Sequence, residues 1–97
     1  MMYILVTYDV NTTDSAGRRR LRRVARCCLN HGQRVQNSVF ECMLPEAQFI
    51  QFRAELTALI DSNNDSIRIY RLGKNYINKI EHIGIITSFD FDGDLII

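Results

Sequence analysis

Met2-Tyr3-Ile4-Leu5-Val6-Thr7-Tyr8-Asp9 is the stretch that decides the fold. Its first seven residues are apolar, β-branched or aromatic without interruption, the mark of a strand in the middle of a sheet. The run stops on a carboxylate, Asp9. Asn11-Thr12-Thr13-Asp14-Ser15 then forms a polar loop with several residues able to cap a helix.

Working outward, Leu21, Val24, Ala25, Cys28 and Leu29 recur at helical spacing and predict an amphipathic helix. His31-Gly32 closes it, with Gly32 expected in the left-handed cap conformation. Arg34-Val35-Gln36 and Val39-Phe40-Glu41-Cys42-Met43-Leu44 are two strands joined at Asn37-Ser38, with Phe40, Cys42 and Leu44 on one face. Pro45 opens a second helix carrying Phe49, Phe52, Leu56, Leu59 and Ile60, which Asn63-Asn64-Asp65 ends. Ile67-Arg68-Ile69-Tyr70-Arg71-Leu72 is a fourth strand ended by Gly73, and Ile80-Glu81-His82-Ile83 is a candidate fifth.

The order β-α-β-β-α-β predicts an α+β, ferredoxin-like fold with an extra C-terminal strand. Both helices would cover one face of the sheet, leaving the other for solvent or a partner. Residues 1–97 are expected to form one ferredoxin-like domain, because 97 residues cannot enclose two cores. Such a small chain buries only about 60–65% of its unfolded surface, so pairing with a second copy would stabilise it. Residues 80–97, ending in Leu95-Ile96-Ile97, are the segment expected to contact that copy.

An apolar share of 46% with 24% charged residues excludes a disordered chain. No run approaches the roughly 20 apolar residues that span a bilayer, and no basic flank precedes the first apolar run. A cytoplasmic protein without a membrane partner is expected. Three cysteines (Cys27, Cys28, Cys42) with no CxxC spacing read as reduced thiols.

The net charge of +1 hides an asymmetry: residues 1–40 carry +5 and residues 41–97 carry −4. Arg18, Arg19, Arg20, Arg22, Arg23 and Arg26 all lie on the first helix, opposite its apolar stripe. Like charges at i, i+4 each cost about 0.2–0.5 kcal/mol, and cations near a helix start oppose its dipole. No acid stands between Asp14 and Glu41 to relieve them. Phosphates would, since the guanidinium fork fits their oxygens. These six arginines are the candidate nucleic-acid contacts; the plain alternative, a solvated helix face, normally mixes its signs.

Asp9, at the end of a central strand, sits where open α/β sheets place ligands. Hydrolysis of a phosphodiester by metal-activated water needs carboxylates to hold a hard cation such as Mg²⁺. One aspartate is too few, but a two-fold dimer would bring two copies of Asp9 together. Alternatively, Asp9 caps a turn. His31 and His82 show no Cys or carboxylate at ligand spacing and are read as surface residues or as supports behind a site. Asp90-Phe91-Asp92-Gly93-Asp94 begins like a calcium loop, but its glycine is misplaced. Tyr8 and Phe40 are able to stack on bases, although aromatics in strands are usually core.

Five stretches resemble, in order, the CRISPR-associated protein 2 family. They are Tyr8-Asp9-Val10; Arg20-Leu21-Arg22-Arg23-Val24-Ala25; Arg34-Val35-Gln36-Asn37-Ser38-Val39-Phe40-Glu41; Ile67-Arg68-Ile69-Tyr70-Arg71-Leu72; and Ile80-Glu81-His82-Ile83-Gly84. The resemblance implies a homodimer that takes part in spacer acquisition with a partner integrase, CRISPR-associated protein 1. It also implies a metal-dependent endonuclease acting on RNA or double-stranded DNA. By motif position Asp9 is the metal-binding aspartate, with Mg²⁺ shared between the two copies. Tyr8, Arg34 and Phe40 are then residues near the active site. Two other readings stand beside the nuclease: a non-catalytic DNA-binding scaffold of the integration complex, and a toxin-like ribonuclease.

Overall fold

The computed structural model describes residues 1–73 and 75–85. The elements run β1 (Met2–Asp9), α1 (Ser15–His31), β2 (Gly32–Gln36), β3 (Val39–Leu44), α2 (Glu46–Leu59) and β4 (Ser66–Gly73), followed by a 3₁₀ turn at Tyr76–Lys79. The sheet order is β2-β3-β1-β4 and each neighbouring pair is antiparallel. This is the ferredoxin-like α+β arrangement expected from the element order, with β1 between β3 and β4.

Alternation along β1 sends Ile4, Val6 and Tyr8 to one face, where they meet Phe40, Cys42 and Leu44 of β3. Val24, Cys27 and Cys28 of α1 and Phe49, Phe52 and Leu56 of α2 close over them. Leu5, Thr7 and Asp9 point to the opposite face, which neither α1 nor α2 covers. The Tyr3 ring, on that open face, stacks on Tyr76 with centroids 4.2 Å apart, and its hydroxyl donates to Glu41.

Asp14 caps α1 by accepting a 2.7 Å bond from the Gly17 amide. A Cβ on Gly17 would overlap the Asn11 carbonyl, so the β1–α1 loop closes tightly only over glycine. Two details of α1 differ from expectation. Leu29 is 52% exposed while Cys27 is buried, because the inward stripe runs through Val24, Cys27 and Cys28 towards His31. Leu29 lies about 100° further round than Cys28. Gly32 is extended (φ −164°, ψ −158°) instead of left-handed, because β2 begins there without a turn. Its hydrogen keeps clear of the Glu41 carbonyl and the Cys42 sulfur as β2 meets β3.

The fifth strand expected at Ile80-Glu81-His82-Ile83 is not formed: residues 80–85 have no regular structure. A strand exists by pairing, and no described strand lies beside this segment. Ile77, Ile83 and Ile85 are instead 73, 87 and 82% exposed. The tail from residue 86, including Asp90–Asp94, lies outside the described residues. Among the described residues, no helix is long and apolar enough to cross a membrane.

The loops at the Asp9 end of the sheet are tied together by Asp65, whose side chain is fully buried. It accepts from the amides of Asn11 (3.0 Å) and Asp61 (2.9 Å) and from Arg20 Nε (2.8 Å). One carboxylate thus joins the β1–α1 loop, the α2–β4 loop and α1.

Candidate active site and nucleic-acid interface

Asp9 is the last residue of β1, exposed, on the face opposite α1 and α2. In the antiparallel ladder it lies opposite Ser66, while Arg68 and Tyr70 oppose Thr7 and Leu5 on the same face. Thr7, Tyr8, Asp9, Ser66, Ile67, Arg68 and Tyr70 line an open concavity of about 320 Å³. Arg68 Nη1 donates to the Tyr70 hydroxyl at 3.3 Å. Sequence reading missed Ser66, Arg68 and Tyr70. Their signal was the i, i+2, i+4 alternation of a strand that pairs with β1.

The concavity offers one carboxylate. Hard cations such as Mg²⁺ and Ca²⁺ take six or more oxygen ligands, usually including more than one protein or substrate oxygen. One chain's carboxylate is therefore too few protein oxygens to hold such an ion alone.

Arg34 and Phe40 do not join Asp9, and Tyr8 borders the concavity beside it while its ring turns away. Alternation along β1 puts Tyr8 on the helix side, its ring stacked on Phe40 with centroids 6.0 Å apart. Arg34 pairs with Phe40 in the β2–β3 ladder, and its guanidinium stands 5.2 Å from the Phe40 ring centre. A register shift between Arg34 and Gln36 bends β2 at this point. Phe40 is wholly buried and Tyr8 nearly so, so neither is placed to stack on a base. The Tyr8 hydroxyl donates to the Asn37 carbonyl at 3.2 Å. Burial raises the Tyr8 pKa, the nearby Cys28 adds to the rise, and Arg34 offsets part of it. The cluster is a packed support that leaves Arg34 exposed at the same end of the sheet as Asp9.

Of the six arginines on α1, Arg19, Arg22, Arg23 and Arg26 line one shallow concavity of about 230 Å³. Arg18 is exposed beside them and bonds the Thr12 carbonyl at 3.3 Å. Arg20 departs from the group. It is only half-exposed and ion-paired with Asp65, whose hydrogen bond raises the Arg20 pKa. Turned towards the α2–β4 loop, its Nε and Nη2 are engaged by the Asp65 carboxylate.

The three cysteines are buried thiols, each pushed up to about 12, with burial the leading cause. None is a poised nucleophile. The reading of His31 as lacking partners does not hold: Cys27 lies one turn earlier on α1, and Glu55 Oε2 is 3.5 Å from His31 Nε2.

Comparison with known proteins completes the picture. The family model described as CRISPR associated protein Cas2 matches residues 2–80. The CRISPR-associated endonuclease Cas2 of Halalkalibacterium halodurans is 55% identical over 95 residues, covering 98% of this chain and 99% of that one. The crystal structure of Streptococcus pyogenes Cas2 matches with a TM-score of 0.74 at 55% identity, over 86% of this chain and 100% of that one. A chain of a partial Cas6-RT-Cas1–Cas2 complex matches with a TM-score of 0.65 at 25% identity, over 98% of this chain and 90% of that one. Identity above one half across nearly the whole length exceeds what a shared fold alone produces, and the chain belongs to the CRISPR-associated Cas2 family.

Proposed function

We propose that the chain is a Mg²⁺-dependent endonuclease, hydrolysing phosphodiester bonds of RNA or duplex DNA, that works as a homodimer in spacer acquisition beside a Cas1-type integrase. The observation that carries this reading is the position of Asp9, an exposed carboxylate at a strand end on the face opposite α1 and α2. Leu5, Val39 and Met43 are half-buried on that face and Tyr70 is exposed, a mixed surface suited to a second copy. If two such faces meet about a two-fold axis, the two Asp9 carboxylates converge. A Mg²⁺ held between them would lower the pKa of a coordinated water and neutralise charge on the phosphate. Arg68 beside Asp9 would keep the substrate's phosphate at the site. Arg34 would steady the backbone leading to it, held in place by Phe40 and Tyr8. The exposed isoleucines at 77, 83 and 85 are the natural contacts for the partner subunit.

The nucleic-acid backbone is assigned to Arg19, Arg22, Arg23 and Arg26, with Arg18 at the rim. Arg19→Ala with Arg23→Ala is expected to weaken binding to every duplex tested. Its log–log salt slope should flatten by about 0.9 for each phosphate no longer neutralised, or about 1.8 in all. An unchanged slope would show that this helix face points away from the substrate.

A second reading has its own support. With a single carboxylate per chain at the site, and a structural neighbour taken from a Cas1–Cas2 assembly, the alternative is a scaffold that positions DNA without cutting it. Cleavage of RNA and duplex DNA by the purified wild type, in Mg²⁺ and in EDTA, separates the two. Products in Mg²⁺ alone are the expected result. Equal cleavage in EDTA would overturn the metal dependence, and tight binding without products in either buffer would favour the scaffold.

A further inference from the structure

Cys27 and His31 stand one turn apart on α1, and Glu55 faces them from α2. Glu55 Oε2 lies 3.3 Å from Cys27 Sγ and 3.5 Å from His31 Nε2. All three ligand atoms fall within 4.8 Å of one another. An ion bound tetrahedrally, about 2.3 Å from sulfur and about 2.0–2.2 Å from nitrogen and oxygen, sets its ligand atoms about 3.3–3.6 Å apart. Two of the three edges already have that length, and small side-chain rotations shorten the third.

We propose that Cys27, His31 and Glu55 form a second metal site, remote from Asp9, that takes a borderline-soft divalent cation, Zn²⁺ in particular, and clips α1 to α2. A thiolate with an imidazole selects Zn²⁺ over Mg²⁺, which prefers oxygen alone. The His31 ring packs against Phe52 with centroids 4.8 Å apart, which fixes its orientation. Cys27 is buried while His31 and Glu55 are half-exposed, so an ion enters from one side and keeps a fourth position for water. That position opens on a concavity of about 400 Å³ bordered by Arg23, Arg26 and Asn30.

The two neighbouring guanidiniums do not exclude the ion. On binding, Zn²⁺ displaces the Cys27 proton to solvent and forms a Zn–S bond. Zn²⁺, thiolate and carboxylate then sum to zero charge. The thiol must give up its proton to bind the ion, so affinity rises with pH and one proton is released per ion. The same side chains, without metal, make the modest Cys27–Glu55 hydrogen bond seen here.

Co²⁺ is the probe, with full-length Asp9→Asn protein as the host so that any binding at Asp9 is removed. The expected result is one Co²⁺ per chain, with visible d–d bands and a near-ultraviolet thiolate-to-cobalt band, both bleached by Zn²⁺. Cys27→Ser and Glu55→Gln, which keep size and spare the fold, should each weaken binding. For Cys27→Ser the loss should exceed the roughly 100-fold that an outer-shell partner is worth, with the sulfur band gone. Cys28→Ser should bind as the host does. Zn²⁺ should raise the melting temperature of the host and not of the Cys27→Ser protein; Mg²⁺ should raise neither. Absence of the sulfur band, or its survival in Cys27→Ser, overturns the proposal.

Discussion

Asp9→Asn should reduce Mg²⁺-dependent cleavage by about a thousand-fold or more while leaving binding intact. The substitution keeps the side chain's size but removes one negative charge per subunit, two in the proposed dimer. Metal stabilisation of a phosphoryl transition state is worth several kcal/mol, and each 1.36 kcal/mol is tenfold in rate. Asp9 is exposed and belongs to no buried network, so folding should not change. Sedimentation at micromolar concentration should give about twice 11.3 kDa for wild type and variant alike. DNA affinity should hold or improve slightly, since one source of repulsion to phosphate has gone. A purified variant that cleaves at the wild-type rate would place the nuclease elsewhere or in a contaminant, and a monomer would remove the paired carboxylates.

Asp9 and the arginines were legible because each stands out one residue at a time: a charge ending an apolar strand, and six cations on one helix without an acid. What surrounds Asp9 was not. Ser66, Arg68 and Tyr70 reach it only through the pairing of β1 with β4, a contact between chain segments about 60 residues apart that no local pattern encodes. The same holds for Tyr8, Arg34 and Phe40. Motif position groups them with Asp9, but a period of two along β1 sends neighbours to opposite faces.

Elements of the fold were legible where periodicity is strong and obscure where tertiary contacts decide. The β-α-β-β-α-β order follows from apolar spacing alone. Leu29 is apolar at i+4 from Ala25 and so reads as inward, yet the buried side of α1 runs through Val24, Cys27 and Cys28. Ile80-Glu81-His82-Ile83 has strand composition without a strand beside it among the described residues, and composition cannot supply the partner. Arg20 resembles its neighbours in sequence, but Asp65, which reads as a helix breaker, is its counter-ion.

That pair sets the second large effect. Asp65→Ala would leave the Asn11 and Asp61 amides without their acceptor and Arg20 without its partner. Removing one member of a buried ion pair costs about 3–5 kcal/mol. The Arg20 side chain keeps 21% exposure and can turn to water, which favours the low end, about 3 kcal/mol. Against the 5–15 kcal/mol that typically holds a domain together, this is a large share, and it predicts a melting temperature lower by roughly 15 °C. The pH dependence has a definite sign. The Arg20 hydrogen bond holds the Asp65 carboxyl below its ordinary value, with burial opposing. A depressed folded pKa stabilises the protein above the unfolded value of about 3.9, and that stability is lost as pH falls through the folded value. Denaturant unfolding of wild type and Asp65→Asn should therefore differ most near neutrality and converge below about pH 4. Arg20→Ala should also lower the melting temperature, yet leave the salt slope of nucleic-acid binding unchanged. Wild-type stability in Asp65→Ala, or a gap to Asp65→Asn that persists in acid, would show that the carboxylate does not bind the three segments together.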